Sequence, residues 1–77
     1  MHKININTPI YNLIKEYPEI KDIMISLGFK NITNPVMLNT AGKVMNLKSG
    51  SKLMKIDLKL IQEKFLEHNF ILEDNNE

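Results

Sequence analysis

The clearest alternation of apolar and polar positions lies between Tyr17 and Phe29. Apolar residues recur there at the i, i+3, i+4 and i+7 spacing of one helix face, at Ile20, Ile23, Met24 and Leu27. Pro18 suits the first turn of such a helix, because the first N–H groups of a helix have no internal partner. Gly28 readily adopts the left-handed conformation that ends a helix. The pattern predicts one amphipathic helix, against which the other elements pack.

Similar spacing predicts helices before and after this segment. Thr8 is expected to cap a first helix and Pro18 to stop it, because a residue that precedes proline disfavours the helical conformation. After a loop at Lys30–Thr33, Asn34 and the following proline begin a third helix whose apolar positions extend to Met45. Gly42 within it costs about 1 kcal/mol relative to alanine, and we expect it to allow another element to approach closely.

The last third of the chain carries weaker signals. Asn46 is a candidate cap for a short fourth helix, although Ser49-Gly50-Ser51 is unfavourable to it, and Asp57 caps a fifth helix. The apolar arc of the fifth helix consists of Leu58, Ile61, Phe65 and Leu66. Lys3–Ile6 alternates like a strand, and its pairing with Phe70–Leu72 as a two-stranded ribbon would join the termini. The pattern therefore predicts an all-α fold of four to five short helices, with or without this minimal ribbon.

Length and composition limit the function. The chain of 77 residues is expected to form a single helical domain, 1–77, with 72–77 as a frayed acidic tail. It contains no cysteine, which excludes disulfides, thiolate metal sites and iron–sulfur clusters. No apolar run approaches the roughly 18 residues of a membrane span, and the N-terminus lacks a signal-peptide core. We therefore expect a cytoplasmic protein that does not associate with membranes.

Charge is distributed unevenly. All ten basic residues are lysine and the net charge is +1, so nucleic acid is not an expected partner. Five lysines lie between Lys43 and Lys59, whereas acids predominate from Glu63 onward. The simpler interpretation is that two solvated helix faces attract each other. The functional alternative is a basic patch for an acidic partner protein, with Lys48, Lys52 and Lys55 as candidate interaction residues.

Catalytic and metal-binding patterns are missing from the sequence. His2 and His68 are the only imidazoles and lie at opposite ends of the chain, whereas a metal site needs three or four ligands. No serine has a base beside it in the sequence, as nucleophilic catalysis requires. We therefore predict no enzyme activity, no metal site and no cofactor.

The methionines allow two interpretations. Met24, Met37, Met45 and Met54 lie on predicted helices. Methionine fills irregular gaps in cores and also lines promiscuous binding surfaces. Filling of the core is the favoured interpretation.

Several motifs resemble one family. Four stretches are similar to the small microbial domain of unknown function 1858. They are Tyr17-Pro18-Glu19, Leu27-Gly28-Phe29, the stretch from Asn34-Pro35 to Thr40-Ala41-Gly42, and Ile56-Asp57-Leu58. That family is related to the hybrid-cluster-protein-associated disulfide domain. The resemblance extends roughly from Ile4 to Phe70. It implies an all-helical orthogonal bundle with at most a minimal ribbon.

The resemblance also bears on function. Many relatives carry Cys-x-x-Cys just after the Gly-Phe turn, and those positions are Asn31 and Asn34 here. The disulfide or metal role suggested for such relatives therefore does not carry over. The family also occurs fused to sensory, haem-associated and hemerythrin-like modules, which implies an accessory or adaptor role.

Two functional hypotheses follow. The first is a non-catalytic protein-interaction or accessory module, with another protein as partner. Homo-oligomerisation stays open, because periodicity does not show which apolar faces remain uncovered. The second is a small-ligand or cofactor-binding domain with its site at the Phe29–Asn34 turn, where Asn31, Thr33 and Asn34 would supply polar contacts.

Overall fold

A computed structural model describes residues 1–74, apart from the side chains of Lys30 and Asn31, so residues 75–77 of the predicted tail lie outside the described residues. The described part contains five α-helices, two strands and two 3₁₀ turns. The helices are α1 (Ile10–Glu16), α2 (Glu19–Leu27), α3 (Pro35–Thr40), α4 (Leu47–Met54) and α5 (Leu58–Glu67). The strands are β1 (His2–Asn5) and β2 (Phe70–Glu73), and the 3₁₀ turns Lys30–Thr33 and Ala41–Lys43 flank α3.

Helix α2 lies at the centre, as its pattern predicts. Ile20, Ile23 and Met24 are buried, and Leu27 packs half-buried against the same core. Gly28 has φ 107°, and its N–H donates to the Ile25 carbonyl at 3.0 Å. The next N–H, from Phe29, donates to the Met24 carbonyl at 3.1 Å. This pair of bonds is the Schellman ending of a helix, and it turns Phe29 back into the core.

The predicted ribbon is confirmed, and its strands run parallel. His2 lies opposite Phe70, and the register continues to Asn5 opposite Glu73. Strand β1 therefore begins and ends one residue earlier than the predicted Lys3–Ile6. Phe70 is fully buried, with its ring edge-on to Tyr17 at 5.3 Å and to Phe65 at 6.1 Å. The chain is therefore mostly helical, and the description all-α is approximate because this strand pair contributes to the core.

Capping side chains begin three of the helices as predicted. Asn34 Oδ1 accepts from the Val36 N–H at 2.9 Å, and Asp57 Oδ1 accepts from the Lys59 N–H at 2.9 Å. At α4, Asn46 Oδ1 accepts from the Ser49 N–H at 2.8 Å while Ser49 Oγ accepts from the Asn46 N–H at 3.1 Å. Ser49 therefore stabilises α4 through a capping box, although the Ser49-Gly50-Ser51 stretch is by itself unfavourable to a helix.

Three local predictions are wrong. Thr8 does not cap α1; Pro9 is the residue before the helix, and it makes no side-chain cap bond. The third helix does not continue to Met45 but ends at Thr40, before the 3₁₀ turn that contains Gly42. Leu66 was predicted in the buried arc of α5 and is exposed, because it lies about 100° around the helix from buried Phe65.

Gly42 is buried in the 3₁₀ turn that follows α3. A Cβ on Gly42 would lie 3.7 Å from the Tyr11 backbone nitrogen and 3.0 Å from Leu38 Cδ1. The tight contact at this glycine is therefore with the Leu38 side chain of α3, whereas the first turn of α1 lies at an ordinary van der Waals distance. The tight 3₁₀ turn brings the chain against α1 there, and it leaves α3 as a short separate helix.

Candidate docking groove

An apolar groove with a volume of about 210 Å³ opens between the Lys30–Thr33 turn, α3 and the end of α4. All of its lining residues are apolar. They are Ile10, Phe29, Ile32, Met37, Leu38, Ala41, Gly42, Met45, Leu53 and Met54. Among the described residues the lining contains no acid, base or nucleophile, so this lining is suited to binding apolar groups.

The floor and the rim of the groove differ in burial. Ile10, Phe29 and Ile32 form a floor that belongs to the core. Leu53 is 64% exposed at the rim, and α3 contributes no fully buried residue. The floor is therefore held by the folded core, whereas the rim presents apolar side chains to water.

Methionines form much of this rim. Met37 is 39% and Met54 37% exposed, and Met45 is half-buried. The prediction that methionine fills the core is confirmed for Met24 and wrong for Met37 and Met54. Flexible, polarisable methionine side chains suit a surface that adapts to what it binds.

The apolar surface extends past the groove. A shallow depression beside it is lined by Val44, Ser49 and Lys52 and shares Met45 and Leu53 with the groove. Val44 is among the most exposed large apolar residues of the described chain, and Val36 on α3 is also exposed. Contiguous exposed apolar surface of this kind marks interaction sites in soluble proteins.

Lysine is the only charged residue type in the segment that supplies most of the groove lining. The chain carries five lysines and no acid between Ile23 and Ile56. The ammonium of Lys43 lies 5.1 Å from the centre of the Tyr11 ring. Lys52 lines the adjoining depression, and Lys55 directly follows Met54; both are exposed. Within the described residues, neither Lys52 nor Lys55 has an acidic partner within salt-bridge distance.

The lysines predicted from the sequence have different surroundings. Lys52 lines the depression beside the groove and Lys55 follows Met54 in the chain, whereas Lys48 lies 3.4 Å from Asp74 in an ion pair. Asn7 Nδ2 also donates to Asp74, at 2.7 Å. This hydrogen bond is the main cause of the lowered pKa of Asp74. Partial desolvation raises the pKa, and the nearby Lys48 lowers it further. Lys48 therefore helps to tie the C-terminal segment to α4.

Of the polar residues predicted at the turn, Thr33 and Asn34 do not line the groove. Asn34 is occupied as the cap of α3, and Thr33 is exposed outside the lining. The side chain of Asn31 lies outside the described residues. The turn contributes Phe29 and Ile32 instead. The only sequence signal for these two was their apolar character within an otherwise polar loop.

The two imidazoles lie away from the groove lining. The His2 ring packs against Tyr17 at 4.8 Å and against Phe70 at 5.5 Å. Desolvation raises the pKa of Tyr17, and the neighbouring Glu16 raises it further. Within residues 1–74, no three metal-binding side chains come together, and no helix has the length and apolar character to cross a membrane.

Comparison with known proteins gives a family and one solved structure. Residues 4–61 match the family model Domain of unknown function (DUF1858), a range that includes every residue lining the groove. The chain is also similar to the crystal structure of the conserved domain protein from Streptococcus pneumoniae TIGR4. The TM-score is 0.90 and the identity 29%, over 99% of this chain and 96% of the other. No curated protein matches.

Proposed function

The chain belongs to the DUF1858 family, a family without an assigned activity, and we propose that it is a non-catalytic cytoplasmic module that binds another protein through the groove. The observation that carries this proposal is an apolar groove whose rim residues, above all Leu53, remain exposed. Exposing large apolar side chains to water is unfavourable, so covering them with a binding partner stabilises the complex.

The groove supports a protein partner better than a metabolite. Pockets for small molecules usually measure about 300–1,000 Å³ and contain a few precisely placed polar groups. This groove is smaller, at about 210 Å³, and all of its described lining side chains are apolar. Such a site suits a few apolar side chains that project from a partner surface. The small-ligand alternative at the Phe29–Asn34 turn has weaker support, because Thr33 and Asn34, two of its three candidate polar contacts, do not line the groove.

Replacing Leu53 with aspartate is expected to remove binding. We expect Leu53 to act as a hot-spot residue, whose truncation costs about 2 kcal/mol or more, roughly a thirty-fold loss of affinity. A buried unpaired carboxylate would add to this loss. Tagged wild-type and Leu53→Asp proteins would be used to recover binding partners from the native cell, and mass spectrometry would identify these partners. The binding measurement would then be repeated with the purified partner.

Leu60→Asp is the matched control. Leu60 is also largely exposed, at 52%, but lies on α5, which contributes no residue to the groove. Thermal melting would verify that both variants fold. The proposal requires a partner that wild type and Leu60→Asp recover and Leu53→Asp does not. Equal recovery of all partners by Leu53→Asp and wild type would refute it.

A further inference from the structure

The walls of the groove favour a helical occupant. Most of the lining residues lie on helices and 3₁₀ turns, and only Phe29 and Met45 lie in connecting segments. The two described strands lie elsewhere, so no described strand edge is available at this site for an extended peptide to pair with. A helix needs no such edge, because its backbone hydrogen bonds are internal. One face of an amphipathic helix projects apolar side chains at i, i+3, i+4 and i+7. The flexible rim formed by Met37, Leu53 and Met54 can adjust to these side chains.

The lysines near the groove favour acidic residues on the flanks of that helix. The segment from Ile23 to Ile56 contains only positive charges, and Lys52 and Lys55 have no described acidic partner. A partner with lysine or arginine beside its apolar face would meet like charge at this margin, whereas glutamate or aspartate would form pairs there. Complementary charge at an interface rim increases the association rate and discriminates against wrong partners.

Building on the proposed function, we infer that the occupant of the groove is the apolar face of an acidic amphipathic helix in the partner protein. The apolar side chains enter the groove, and the acidic residues beside them face Lys52 and Lys55. Affinity then depends on the apolar contacts, and selectivity depends on the lysines.

Two synthetic peptides separate these contributions. Each has about 16 residues, long enough to form a helix on binding, and the same leucines at i, i+3, i+4 and i+7. One carries glutamate on both flanks of the leucine face and the other carries lysine. Fluorescence anisotropy would give their affinities for the wild-type chain, for Leu53→Asp and for Lys52→Glu combined with Lys55→Glu. Lys59→Glu combined with Lys64→Glu is the matched control, since it makes the same charge change on α5.

The acidic peptide is expected to bind wild type at least about tenfold more tightly than the basic peptide, with a difference that shrinks as salt screens the rim charges. Lys52→Glu with Lys55→Glu should reverse this preference, whereas the α5 control should keep it. Equal affinity of both peptides, lost in Leu53→Asp, would overturn the inference and leave the proposed function standing. Failure of Leu53→Asp to weaken either peptide would count against both. If the wild-type chain forms oligomers and the Leu53→Asp variant is monomeric, a second copy of the chain is the occupant of the groove. This result would also overturn the inference.

Discussion

Replacement of Phe65 with alanine is expected to leave most of the chain unfolded at 25 °C. Phe65 is fully buried on α5 and packs edge-on against Phe70. A buried Phe→Ala change typically costs about 3–5 kcal/mol. A domain of this size rarely gains more than about 3–5 kcal/mol from its core. The predicted loss therefore equals or exceeds the free energy of unfolding, and circular dichroism during urea titration would measure it.

Leu60→Ala is the control for this experiment. It removes a large apolar side chain from the same helix, but Leu60 is more than half exposed. Substitutions of exposed residues usually change stability by less than about 0.5 kcal/mol, so the urea midpoint should hardly move. A Phe65→Ala protein with a midpoint close to that of wild type would contradict the described core.

A chain that ends at Asn69 is also expected not to fold. This truncation removes β2, including fully buried Phe70, and deprives β1 of its described partner. The bond from the Ile6 N–H to the Glu73 carbonyl is lost as well. The loss of Phe70 alone should cost about 3–5 kcal/mol. The stable unit would then extend beyond residue 61, where the match to the family model ends.

The matched control ends at Asp74. It keeps β2 together with the contacts of Asp74 to Asn7 and Lys48, and it removes only the residues outside the described chain. Amide proton–nitrogen NMR spectra should show dispersed signals for the chain ending at Asp74 and collapsed signals for the chain ending at Asn69. A folded spectrum from the shorter chain would show that β2 is dispensable.

The sequence predicts those features that local patterns determine. The buried face of α2 follows from four apolar positions at helical spacing, and its end follows from Gly28. The caps at Asn34, Asn46 and Asp57 need only a polar side chain of the right length before a helical stretch. The pairing of the terminal segments was also predictable from their apolar character, but their parallel direction was not, because a run of four residues encodes no strand direction.

The groove depends on information that periodicity lacks. Met37 and Leu38 on α3, like Leu53 and Met54 on α4, have spacing or character that is typical of a buried face. Whether another element covers such a face depends on the path of the chain, and the turn at Gly42 leaves α3 at the edge of the core. Helical spacing therefore favours the methionines as core residues. The candidate binding residues predicted from the sequence are polar or charged, namely three lysines (Lys48, Lys52 and Lys55) or, alternatively, Asn31, Thr33 and Asn34.

The fold and the proposed function are compatible with each other. The buried residues of α2, α5 and the strand pair hold the core and the floor of the groove. The rim on α3 and α4 contributes much less to the core, so its side chains can adapt to a partner at little cost to stability. Changes at the rim should therefore alter binding, whereas changes at Phe65 or Phe70 should alter folding.

Methionine-methyl NMR can show whether the groove is the binding site. The chain contains five methionines, and selective ¹³C labelling gives one methyl signal for each. At saturating concentrations of the acidic peptide described above, the signals of Met37, Met45 and Met54 are predicted to shift while that of buried Met24 stays in place. If the peptide binds and the three groove signals do not move, binding occurs elsewhere and the groove is not the docking site.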